Sequence, residues 1–171
     1  MLEILLLDET HDRAGFECGE PALDRYLAET ASRHARCDLA RTFVLIDQDS
    51  PRVVLGYATL TLCTVAASDL PADLARRLPR SLPGVKLGRL AVDRRAQGKG
   101  RGVRLLMRAL EETIAIADRA GGHALFVDAT HAGVVPFYQR LGFTPLPSQP
   151  LVLFVTTASI RKLVATGRRS V

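Results

Sequence analysis

Apolar side chains recur along this 171-residue chain with two spacings. "MLEILLL" is a short continuous apolar run that predicts a strand. In "EPALDRYLAETASRHARC" the positions Leu23, Tyr26, Leu27, Thr30, Ala31 and His34 share one helical face, and Pro21 falls in the first turn, where its missing N–H costs nothing. "RTFVLID" and "RVVLGYATLTLCTV" are β-rich runs separated by the turn signal "QDSP" and predict a hairpin. "LPADLARRLP" predicts a short helix between prolines, and "VKLGRLAVD" another strand. The strongest helix runs from Gly98 to Ala120, with Val103, Leu106, Met107, Leu110, Ile114 and Ala117 on one face and Gly121-Gly122 at its end. "HALFVDA", "VVPFYQRLG" and "PLVLFVTTA" then predict a strand, a short helix and a late strand. Strands and helices neither alternate strictly nor segregate. This predicts one α/β (α+β) domain over residues 1–171, with a mostly antiparallel sheet, flanking helices and one β–α–β unit: strand 85–93, helix 98–120, strand 124–129.

The segment joining that strand to that helix is "VDRRAQGKGRG", residues 92–102. Glycines at 98, 100 and 102 let the backbone approach a ligand and leave its N–H groups uncovered. Those groups sit where a helix begins, with unpaired donors and the positive end of the macrodipole. Phosphate suits such a place. A nucleotide-triphosphate loop needs GxxxxGK followed by Ser or Thr, and a dinucleotide loop needs GxGxxG; this segment has neither spacing.

What it has is Arg-x-x-Gly-x-Gly, at Arg95, Gly98 and Gly100. That hexapeptide, and "VKLGRLAVDRRAQGKGRGVRLL" around it, resemble the strand, pyrophosphate loop and helix of the GNAT (Gcn5-related) N-acetyltransferases. "VDATHAGVVPFYQRLGF" resembles the next part of that fold, although His131 stands where an Asn is common and Val135 and Pro136 replace typical Ala and Lys/Arg positions. "FECGEPALDRYL", "LARTFVLID" and "LVLFVTTASIRKL" narrow the resemblance to the GNAT toxins of bacterial toxin–antitoxin modules, over nearly the whole chain. The resemblance implies a sheet whose central strand pair is splayed to admit the pantetheine arm of acetyl-CoA (coenzyme A). It implies cofactor contacts from Leu90, Ala91, Val92, Arg95, Gln97, Gly98, Lys99, Gly100, Arg101, Gly102, His131, Phe137 and Tyr138. It further implies that a backbone N–H near Leu90–Val92 polarises the acetyl carbonyl and that Tyr138 is the catalytic acid for the leaving thiolate. Aminoacyl-tRNA as substrate, a ribbon–helix–helix antitoxin and a homodimer come from the same source.

Charge bears on the substrate. The net charge is +5, and between Arg76 and Arg104 there are ten basic residues and one acid, Asp93. This is a solvated face or a surface for a polyanion. Under the resemblance, Arg33, Arg36, Arg41, Arg76, Arg77, Arg80, Arg89 and Arg94 are candidates for holding tRNA phosphates. With no Trp and 5% aromatic residues, base stacking has a small part. Glu17, Glu20, Glu29, Glu111 and Glu112 fall in loops or on plausible solvent faces, so no carboxylate stands out as a general base. A lysine amine (pKa about 10.4) wants one, whereas an α-amino group at about 7.7–8.0 is partly neutral already. An adjacent ester lowers it further. Two other readings remain: a GNAT acting on a small amine or a protein N-terminus, and a non-catalytic GNAT fold that binds nucleic acid or a partner. Three widely spaced cysteines without a CxxC pair point to a reducing cytoplasm, and no His/Cys/Asp cluster has metal-ligand spacing. No apolar run approaches membrane-span length.

Overall fold

The apolar runs become strands, and those from "RTFVLID" and "HALFVDA" are buried on both faces along most of their length. In the computed structural model, which describes residues 1–168, β1 (Leu2–Leu6) pairs antiparallel with β2 (Arg41–Asp47), Ile4 opposite Leu45. β2 pairs antiparallel with β3 (Gly56–Ala66), Phe43 opposite Ala58. β4 (Ser81–Val92), β5 (Ala124–Asp128), β6 (Thr144–Leu146) and β7 (Gln149–Thr156) complete a seven-stranded sheet of order β1-β2-β3-β4-β5-β7-β6. β4 and β5 run parallel, Val85 opposite Leu125, with pairs as far as Leu87 opposite Val127. Parallel neighbours need a long crossover, here made by the 20-residue helix α4 (Arg101–Ala120). β7 pairs antiparallel with both β5 and β6. The mixed, mostly antiparallel sheet with flanking helices agrees with the sequence pattern.

The helices differ from expectation in three places. The first is not one α-helix: α1 (Pro21–Arg25) and α2 (Ala31–Arg36) are separated by a π turn at Tyr26–Thr30, where the Ala31 N–H donates to the Tyr26 carbonyl. Helix α4 begins at Arg101, not Gly98, because Gly98 and Gly100 hold φ of 73° and 71°, outside the right-handed helical region. A C-terminal helix, α6 (Thr157–Arg168), follows β7, with Thr156 Oγ1 accepting from the Ser159 N–H at its start. Two short helices, α3 (Ala72–Ala75) and α5 (Val135–Gln139), lie near their expected positions.

Two compact units make up the described chain, Met1–Thr61 with Gly88–Ala109, and Leu62–Leu87 with the described residues from Leu110 onward. In the first, Phe16, Tyr26, Leu27, Val44, Tyr57 and Ala91 are among the residues of a buried cluster. Tyr57 is fully buried, and its hydroxyl donates to the Leu23 carbonyl at 2.7 Å, which satisfies its polar end. In the second, Leu70, Leu82, Phe126, Leu146 and Phe154 form the corresponding cluster. Gly84 lies against Phe126 so closely that a Cβ there would stand 2.8 Å from Phe126 Cε2.

Candidate active site

The first unit carries the glycine loop, and its shape is set by a carboxylate. Asp93 directly follows β4 and is 1% exposed. One of its carboxylate oxygens accepts from the Arg95 N–H at 3.0 Å and from Arg95 Nε at 2.8 Å. The other accepts from Arg95 Nη2 at 2.9 Å and from the Glu17 N–H at 3.2 Å. The Arg95 guanidinium, bound to it through two parallel N–H bonds, holds the Asp93 carboxyl below the usual carboxylate range. Arg95 therefore shapes the loop: two of its guanidinium donors are spent on Asp93, and its Nη2 also reaches the Gly15 carbonyl at 3.4 Å. Gln97 acts alike, its Nε2 donating to the Val92 and Cys18 carbonyls at 2.9 and 2.8 Å. Arg101 Nη1 donates to the Ala96 carbonyl at 3.2 Å.

Beyond these ties the backbone N–H groups of residues 98–103 donate to no described residue, since hydrogen bonding in α4 resumes at Arg104 N–H to the Gly100 carbonyl. Those of 101–103 are the orphan donors of a helix start, and those of 98–100 belong to the turn before it, in which Gly98 and Gly100 are left-handed. A Cβ on Gly98 or Gly100 would meet nothing within 4 Å, and Lys99 is exposed beside them. The donor set is therefore free, uncovered by side chains and placed at the positive end of a 20-residue helix. It fits a diphosphate. Leu90, Ala91 and Val92 lie on β4 immediately before it, and Gly102 is in the first turn of α4.

Tyr138 belongs to the second unit. It sits in α5 with 7% exposure, edge-on to Phe137 at 5.1 Å and to Phe143 at 5.6 Å between ring centroids. Its hydroxyl makes no hydrogen bond to a described residue, and burial pushes its pKa up to about 12. The phenol thus keeps its proton at neutral pH and has it free to donate. His131 is exposed, and its Nδ1 accepts from the Gly133 N–H at 3.1 Å, capping the turn before α5. With Nδ1 so used, the neutral ring carries its proton on Nε2, the atom left to meet a ligand.

The candidate phosphate-binding arginines separate by what already holds them. Arg41 is paired with Asp38 at 2.6 Å and Arg94 with Glu17 at 2.7 Å. Arg89 is half-buried, its guanidinium 3.6 Å from the centroid of the Tyr26 ring. Arg33, Arg36, Arg76, Arg77 and Arg80 are exposed, without an ion pair to a described residue. Glu17, Glu20, Glu29 and Glu111 are exposed and Glu112 is half-exposed. Sequence reasoning missed Asp93 as the organiser of the loop. The signal was present: a single acid in a segment of ten basic residues, directly after a strand.

No helix among the described residues is long and apolar enough to cross a membrane. No group of three or more His, Cys, Asp or Glu among them is placed to hold a metal ion.

Comparison with known proteins gives this geometry relatives. A family model described as an acetyltransferase (GNAT) domain matches residues 62–152. The tRNA-acetylating toxin of Mycobacterium tuberculosis is 34% identical over 158 residues, 92% of this chain and 93% of that protein. Among solved structures, AtaT complexed with acetyl-methionyl-tRNAfMet superposes with a TM-score of 0.89 at 35% identity, covering 96% of this chain and 99% of that one. A tyrosine-to-phenylalanine mutant of AtaT, bound to the C-terminus of the antitoxin AtaR and acetyl-CoA, gives a TM-score of 0.81 at 34% identity, with 95% and 98% covered. The chain belongs to the GNAT acetyltransferase family.

Proposed function

We propose that this protein is an acetyl-CoA-dependent N-acetyltransferase that modifies the α-amino group of aminoacyl-tRNA and so, as a toxin, blocks translation. The observation that carries the cofactor half is the run of unpaired N–H groups at residues 98–103, shaped by Asp93, Arg95 and Gln97. The substrate half rests on relatives named for tRNA acetylation and for a complex with acetylated tRNA, at 34% and 35% identity over most of the chain.

When bound, acetyl-CoA supplies the acetyl group as an activated thioester. The amides of residues 98–103 would hold its diphosphate, with the positive end of α4 behind them. A backbone N–H in Leu90–Val92 would hydrogen-bond the acetyl oxygen, where negative charge grows. Phe137 holds the Tyr138 ring edge-on, and Tyr138 Oη keeps a proton to offer the departing sulfur. With the phenol near 12 and a free thiol near about 8.5, that transfer runs uphill, so Oη acts chiefly by hydrogen-bonding to the developing charge. His131 Nε2 and Lys99 are further cofactor contacts under this reading. No carboxylate is needed to deprotonate an ester-activated α-amine. Exposed Arg33, Arg36, Arg76, Arg77 and Arg80 would contact tRNA phosphates. The protein would work in the cytoplasm as a homodimer restrained by a ribbon–helix–helix antitoxin.

The test incubates the protein with labelled acetyl-CoA and a mixture of charged and uncharged tRNAs. Label should enter RNA only through the charged species. Label found only on free polyamines or on protein would transfer the assignment to the small-amine or protein N-terminal reading.

A further inference from the structure

Most of the basic residues named so far are exposed or are already paired. Arg89 is neither. It projects from β4 into the face lined by Tyr26, Tyr57 and Ala91, and its guanidinium lies 3.6 Å above the centre of the Tyr26 ring. Tyr26 is 5% exposed and fixed from two sides: its hydroxyl meets His34 Nδ1 at 3.2 Å, and its ring stacks on Tyr57 at 6.4 Å. The π turn begins at Tyr26. Stacking occupies the flat face of the guanidinium and leaves its N–H edge available. No described residue accepts from that edge. A half-buried planar cation with a fixed orientation and unspent donors is a preorganised receptor for a tetrahedral oxyanion, of the kind that binds in two parallel bonds.

Its position along the chain says which oxyanion. Arg89 is one residue before Leu90, in the segment assigned above to the acetyl oxygen. A strand advances only about 3.3 Å per residue. An anion held by Arg89 is therefore close to the reacting amine, whereas the exposed arginines are free to meet phosphates anywhere along the RNA. We propose that Arg89, laid on Tyr26, is the receptor for the last phosphodiester of the acceptor end, and that it sets the position of the terminal aminoacyl-adenosine. This rests on the proposed function and adds to it a single short-range contact distinct from the general electrostatic surface.

Arg89→Lys tests it, because lysine keeps the charge but has neither the planar fork nor the stacking face. Three acceptors are compared at fixed acetyl-CoA: charged tRNA, the aminoacyl ester of a cytidine–adenosine dinucleotide with one phosphodiester, and the aminoacyl ester of adenosine with none. The variant should lose about 10–100-fold in kcat/KM on the first two, as expected of a lost bidentate contact. Its loss on the nucleoside ester should be at least about tenfold smaller. Tyr26→Leu, which removes the platform, should give the same ratio. Acetyl-CoA affinity and thermal unfolding of Arg89→Lys should match the parent protein. Equal loss on all three acceptors, or no loss on the dinucleotide ester, would overturn the inference. So would a fall in acetyl-CoA affinity, since the side chain would then be supporting the loop. If the parent protein acetylates none of the esters, the function itself fails and takes this inference with it.

Discussion

Asp93 is the acid that the glycine loop depends on. It is buried, receives four hydrogen bonds and is the counter-charge of Arg95. Asp93→Ala leaves the Glu17 N–H and Arg95 without that acceptor and should lower stability by about 2 kcal/mol in denaturant unfolding. The pH dependence has a definite sign. A carboxylate whose folded pKa is depressed adds stability above its unfolded value of about 3.9 and loses it as pH falls through the lower folded value. The parent protein should therefore show a steeper acid-limb decline in stability than Asp93→Ala, which lacks this one contribution. Gly100→Val presents the opposite case. Its Cβ would meet nothing within 4 Å, but φ of 71° strains a β-branched residue, so the loop should relax to another shape. Stability should fall by only about 1–2 kcal/mol, while calorimetric titration should show acetyl-CoA affinity largely abolished. Tyr138→Phe keeps the ring and its edge-on contacts and removes one donor. Turnover should fall by about 10²–10⁴ with cofactor affinity unchanged, and turnover at the parent rate would reduce Tyr138 to packing.

At the scale of elements, strands and long helices were legible because burial follows periodicity. β2 follows directly from its spacing, and α4 forms where its periodicity predicts a helix. The buried face of α4, however, is Leu105, Leu106, Ala109, Leu110 and Thr113, which leaves Val103 exposed and Met107, Ile114 and Ala117 only partly covered. Three features were not legible. The π turn at Tyr26–Thr30 keeps the helical hydrophobic pattern and only adds a residue, which the pattern alone does not reveal. β6 has three residues, too few for alternation to register. α6 follows β7 without a glycine or proline break, so the apolar run masks the change. In the site, the glycine spacing was readable while its bracing was not, since the bonds from Asp93 and Gln97 reach segments 76 and 79 residues away in sequence. Gly84 offers a test of β4 against β5. A Cβ there would stand 2.8 Å from the Phe126 ring and 3.2 Å from the Ala124 carbonyl, so Gly84→Ala should cost about 1–3 kcal/mol by overpacking and lower Tm.

At the scale of the whole molecule, a net charge of +5 with pI about 9.6 makes association with a polyanion depend on salt. Each neutralised phosphate releases counterions, and some five contacts from the exposed arginines would cost about a hundredfold or more in tRNA affinity between about 50 and 200 mM salt. Acetyl-CoA, held at short range by amides, should lose far less over the same interval. A filter-binding series at several salt concentrations, run beside calorimetry of the cofactor, reads both slopes.

The ties that brace the loop also fasten something else. The Glu17 N–H ends on Asp93, the Arg94 N–H ends on the Glu17 carbonyl at 2.8 Å, and Gln97 ends on the Cys18 carbonyl, three residues before α1 begins at Pro21. The approach to the first helix and the approach to α4 therefore share three hydrogen bonds, and opening either one breaks them. A ligand that steadies one slows the local unfolding of the other. Acetyl-CoA should thus slow amide hydrogen exchange at Glu17 as well as at Arg94, although position 17 lies more than seventy residues from the loop in sequence.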